Sequence, residues 1–131
     1  MSSPPRVAVL DADETCPRLP LVAGAGEAYA VVWPGVGATM RSMHRISLQP
    51  KSATIRMRHP MEAVYYVIAG GGTMRDPDTG AAEPVREGSM IHVEPGTAYI
   101  AEADAAGLEL IGGPCPADPE FSRGLAAKPD R

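Results

Sequence analysis

At 131 residues, with 44% hydrophobic content, the chain has the size of one compact domain, and its 14 glycines and 14 prolines favour many short strands over long helices. Twelve basic against sixteen acidic residues, a net charge of -4, exclude a general nucleic-acid binder, which needs a basic surface to neutralise phosphate. No apolar stretch approaches the roughly 20 residues of a membrane helix, and the run Val7–Leu10 is too short for a signal segment, so the expectation is a cytoplasmic protein away from membranes.

Taken in order, residues 1–5 read as a loose tail, Arg6–Leu10 as an edge strand, and the Pro-, Gly- and Asp-rich Asp11–Gly26 as a long connection. Ala28–Trp33 is a β-prone run stopped by Pro34-Gly35, with Trp33 at its end as a candidate pocket wall. From Met40 the alternation sharpens. His44, Ile46 and Leu48 share one strand face, the expected core side, while Met43, Arg45 and Ser47 share the other.

After a turn at Gln49–Ser52, Ile55, Met57 and His59 alternate with Arg56 and Arg58, which places the arginines outside. Beyond the corner at Pro60, Ala63–Ala69 is continuously apolar, as in a strand packed on both faces, and Gly70-Gly71-Gly72 is expected to end it. Asp76–Gly80 is a hairpin signal, and Pro84–Gly88 reads as another turn. Strands follow at Ser89–Val93, Tyr99–Ala103 and Leu108–Ile111, with a corner at Glu94-Pro95-Gly96. A C-terminal helix is predicted over Asp118–Leu125, with Asp118 as cap, Pro119 in the first helical position, and Phe121 and Leu125 on a face that docks on the barrel; residues 126–131 read as a tail. Turn signals every eight to twelve residues or so define an all-β sandwich or small barrel in a single domain spanning residues 1–131. Cys16 and Cys115 stand far apart, each before a proline, with no spacing that makes a redox or zinc pair.

Over roughly residues 38–112 this framework resembles the cupin superfamily. Its first motif is a glycine, His-x-His, a glutamate and a closing glycine; its second is a glycine, Pro-x-Gly and a histidine. Met57-Arg58-His59 falls on the His-x-His, Ala63 on the glutamate and Gly70 on the closing glycine, while Gly88, Gly96 and Tyr99 fall on the second motif. The resemblance implies a double-stranded β-helix, or jelly-roll barrel, with a short C-terminal helix, a small organic ligand in the barrel, and a homodimer whose outer strands pair. It also implies a metal held by three histidines and one glutamate, of which this chain retains His59 alone.

Three readings follow. The first is a metal-free pocket doing non-oxidative acid–base chemistry of the isomerase, cyclase or lyase type. His59 and Tyr99 would form its proton-handling pair, His92 would be a further catalytic group, and His44, Met57, Tyr65, Met90 and Trp33 would line the pocket. A second is an oxygenase with Zn, Fe, Mn or Ni on a rearranged set of His44, His59 and His92. The third is a non-catalytic ligand-binding or accessory protein.

Overall fold

The structure, a computed structural model, describes residues 6–13 and 15–121. Its strands are β1 (Val22–Ala23), β2 (Gly26–Val32), β3 (Met43–Leu48), β4 (Ala53–Thr54), β5 (Ala63–Arg75), β6 (Ala82–Arg86), β7 (Met90–Val93) and β8 (Ile100–Pro114), with one 3₁₀ turn at Pro34–Val36 after β2. The expected tails, and the predicted helix beyond residue 121, lie outside the described residues. Residues 119–121 are helical, and Asp118 caps them, its Oδ1 accepting from the Glu120 amide at 3.0 Å.

β5 and β8 run antiparallel along their lengths, from Ala63 opposite Pro114 to Arg75 opposite Ile100, and form the spine of the barrel. β8 carries β3 and β4 on its other edge, with β2 beyond β3 and β1 beyond β4; β5 carries β6 and β7. Between Gly70–Leu108 and Gly72–Ala103 the single residue Gly71 stands opposite residues 104–107 of β8, so the ladder is offset there and one long strand pair serves both halves of the barrel. Gly70-Gly71-Gly72 therefore does not end the strand. A Cβ on Gly72 would lie 1.9 Å from the Glu102 carbonyl oxygen, so glycine is what lets the two backbones stay in contact through the offset.

Other expectations shift for physical reasons. Arg6–Leu10 forms no strand, and Val7 and Val9 are each 84% exposed. Pro84 sits within β6 rather than in a turn, and the turn comes at Glu87-Gly88. The predicted strands at 99–103 and 108–111 merge into β8. Ile55–His59 makes only an isolated bridge, Met57 to Tyr99, although its alternation survives in the burial of Met57 and His59. β5 is buried on one face only: Ala63, Tyr65 and Val67 point in, while Tyr66 is exposed.

The inward positions, Ala28 and Ala30 of β2, Ile46 and Leu48 of β3, Tyr65 and Val67 of β5, and Leu108 and Leu110 of β8, make the core together with Leu19, Leu21 and Met57. The outer face carries the charged pairs, Arg45 with Glu109 and Arg75 with Glu102. Among the described residues no helix is long and apolar enough to cross a membrane.

Candidate functional site

Four side chains from four segments form one hydrogen-bonded chain inside the barrel. His59 lies between the β4 segment and β5, Tyr65 on β5, Tyr99 beside the start of β8, and Asp118 at the C-terminal turn; all four are buried. Asp118 Oδ2 lies 2.7 Å from His59 Nδ1, His59 Nε2 lies 2.6 Å from Tyr99 Oη, and Tyr99 Oη lies 2.6 Å from Tyr65 Oη. The bridge between Met57 and Tyr99, with amide–carbonyl bonds of 3.0 and 2.9 Å in the two directions, holds the His59 and Tyr99 segments side by side.

The donors can be ordered by chemistry. A carboxylate only accepts, so Asp118 fixes the proton on His59 Nδ1 and leaves Nε2 of the neutral ring as an acceptor. Tyr99 donates to Nε2, and Tyr65 in turn donates to Tyr99. Every bond in the chain then points toward Asp118. Burial pushes the Tyr65 phenol up to about 12 and raises Tyr99 further, with the neighbouring Tyr65 adding to the effect on Tyr99. Both phenols are neutral donors near pH 7.

Phe121 closes this side of the site. Its ring packs edge-on against His59, centroids 4.6 Å apart at 87°, and lies 5.9 Å from the His44 ring. The Phe121 amide donates to the Asp118 carbonyl at 3.0 Å, so the carboxylate and the aromatic cover belong to one turn. His44, on β3, is 4% exposed, and among the described residues its Nδ1 has no hydrogen-bond partner. An unpaired buried nitrogen of this kind costs about 1–3 kcal/mol.

Burial first, and the neighbouring His59 second, depress His44 from the usual histidine value to about 4. An unfolded chain takes up that proton as pH falls through about 6.5, and the native state does not until about 4. The stability contributed is complete above the unfolded value and is lost as pH falls across that window, on the order of 3 kcal/mol at most. Urea unfolding at pH 7 and pH 4.5 should show a larger loss for the wild type than for His44→Leu; equal losses would contradict it.

Not all the candidate residues meet here. His92 is on the outer face of β7, its Nε2 2.8 Å from Glu62, and Met90 is 79% exposed on the same face. Ile91 and Val93, opposite Tyr65 and Ala63, take the inward positions instead. Met57 is buried in the core, and Trp33 is half-buried against it. His44, His59 and His92 therefore do not converge. Asp118 and Phe121 join the site from a turn that sequence reading treats only as helix cap and docking face.

The donors do not fit the ion the resemblance implies. The four ligand positions carry Met57, His59, Ala63 and Tyr99; both His59 nitrogens are engaged, and the Tyr99 phenol is held neutral. Among the described residues no three His, Cys, Asp or Glu side chains are grouped to hold a metal.

At the level of sequence, no family model and no curated protein matches the chain. Solved structures do. An RmlC-like cupin from Shewanella frigidimarina superposes with a TM-score of 0.67 at 17% identity, over 88% of this chain and 96% of that one. A predicted oxalate decarboxylase from Thermotoga maritima gives 0.63 at 22%, over 81% and 96%. The polyketide cyclase RemF from Streptomyces resistomycificus gives 0.60 at 17%, over 97% and 95%. The chain thus has the cupin fold, a double-stranded β-helix, as its sequence framework implies.

Proposed function

We propose that this cupin-fold chain is a small-molecule enzyme of the isomerase, cyclase or lyase type, working by proton transfer without a metal. The observation that carries the reading is the buried sequence Asp118–His59–Tyr99–Tyr65, with successive contacts of 2.7, 2.6 and 2.6 Å. A substrate proton passes to Tyr99 Oη as the Tyr99 proton moves to His59 Nε2, and Asp118 stabilises the imidazolium that results. Return of the proton to a different substrate atom completes an isomerisation or cyclisation, with no oxidant consumed. Tyr99, now carrying the substrate proton, donates to the developing enolate while Tyr65 donates to Tyr99. A fold neighbour that is a polyketide cyclase supports chemistry of this class. The reading includes a homodimer, supported by the exposed Tyr66 and Met90, which lie opposite each other on β5 and β7.

Native mass spectrometry of protein purified without chelator, followed by release and identification of any bound molecule, tests the reading in one measurement. The expected result is a dimer carrying an organic molecule and no stoichiometric Fe, Mn, Ni or Zn. That molecule, or its precursor, should then be turned over by the wild type and at least about 100-fold more slowly by His59→Gln and Tyr99→Phe, the usual scale of general acid–base catalysis. A stoichiometric metal needed for turnover would favour the oxygenase instead; affinity changes without turnover would favour a binding protein.

A further inference from the structure

His44 takes no part in the proton chain, yet it is buried on the inner face of β3 with a nitrogen that has no hydrogen-bond partner among the described residues. Gly113 packs closely on one flank of the ring: a Cβ there would come within 2.8 Å of Ser42 Oγ and 2.9 Å of His44 Cδ2. On another side stands Phe121, a planar apolar ring touching His59 edge-on and facing His44 at a tilt of 54°. Buried polar groups are almost always paired, so an imidazole left unpaired beside the reactive chain is a group waiting for a partner from outside the protein.

From these contacts, and resting on the acid–base reading above, we infer that His44 is the polar anchor of a binding site for an uncharged planar aromatic molecule bearing a hydroxyl or enol group, whose ring takes the place now held by Phe121. Phe121 is the internal stand-in for that ring. It satisfies the apolar and edge-on contacts with His59 but offers nothing to His44 Nδ1, which is the difference a hydroxylated ligand exploits. An anionic ligand is disfavoured, because the Asp118 carboxylate is buried on the same turn as Phe121. Entry of the ligand requires the 118–121 turn to yield Phe121, so the ring competes with the ligand for one place.

Two probes of the same shape separate the terms: naphthalene and 2-naphthol, titrated at pH 7 by calorimetry or ligand-observed NMR. In the wild type, 2-naphthol should bind about tenfold more tightly than naphthalene, the most that one neutral hydrogen bond usually supplies. Phe121→Ala should tighten both probes. His44→Leu should bring the ratio to about one without weakening naphthalene, and His44→Asn, which keeps a polar group should the leucine variant fold poorly, should retain part of it. An unchanged ratio in both His44 variants, or no tightening in Phe121→Ala, overturns the inference, as does failure of wild type and Phe121→Ala alike to bind either probe. Tyr99→Phe is the control: it interrupts proton transfer but leaves His44 and Phe121 in place, so its naphthol-to-naphthalene ratio should match the wild type even if the acid–base reading fails.

Discussion

Gly112→Ala is expected to leave little or no folded protein. Gly112 lies near the C-terminal end of β8, opposite both Tyr65 of β5 and His44 of β3, with φ at 145°, where a side chain is strained whatever the space. Space is also lacking. A Cβ there would stand 2.0 Å from the Val64 carbonyl oxygen and 2.7 Å from the Tyr65 Cα. Both are backbone atoms of the partner strand, so relief requires β5 and β8 to separate where Tyr65 enters the proton chain. Losses above about 4 kcal/mol are exceptional for one substitution, but this one combines a backbone clash with a forbidden dihedral. Against a native margin of about 5–15 kcal/mol, that is enough to remove most folded material. Gly88→Ala is the matched comparison. Its φ is 95°, but none of the described residues lies within 4 Å of the added methyl, so only the dihedral cost of about 1–2 kcal/mol remains. Soluble yield and the urea midpoint of the two variants should differ widely; similar behaviour would mean that the β5–β8 contact is looser than described.

That contact also marks where sequence reading stops. Alternation in His44–Leu48 and Ile55–His59 is a local property, and the burial of His44, Ile46, Leu48, Met57 and His59 follows it. Gly70-Gly71-Gly72 misleads, because a glycine run ends a strand in most settings, whereas here its purpose is close approach to a carbonyl contributed by β8, some thirty residues away. His92 fails by parity: β7 is only four residues long, and a register error of one residue exchanges His92 and Met90 for Ile91 and Val93. The hydrogen bond between Asp118 and His59 spans 59 positions. In sequence, Asp118-Pro119 carries a sufficient local explanation as a helix cap, so nothing prompts a second one. Only the folded chain shows that one oxygen of the carboxylate caps the turn while the other holds the imidazole.

This division of labour makes Asp118→Asn the most discriminating substitution in the site. Asparagine caps a helix about as well as aspartate, and it has nearly the same shape. If Asp118 served only the turn, the variant would be close to wild type in every respect. The proton chain predicts otherwise. An amide can present its NH₂ to His59 Nδ1, which moves the ring proton to Nε2 and turns a donor toward Tyr99 where an acceptor stood. It also supplies no charge to stabilise an imidazolium. Stability should therefore fall by only about 1 kcal/mol, while turnover falls by about 10³–10⁴, the scale on which a mispositioned tautomer acts in aspartate–histidine pairs. Asp118→Ala, by contrast, leaves the buried Nδ1–H unpaired and should cost about 1–3 kcal/mol of stability as well. Nitrogen-15 shifts of His59 provide the readout independent of any substrate: Nδ1 protonated and Nε2 bare in the wild type, the reverse in Asp118→Asn. A tautomer that stays put, with turnover intact, would reduce Asp118 to a cap and leave Tyr99 donating to a histidine that no carboxylate orients.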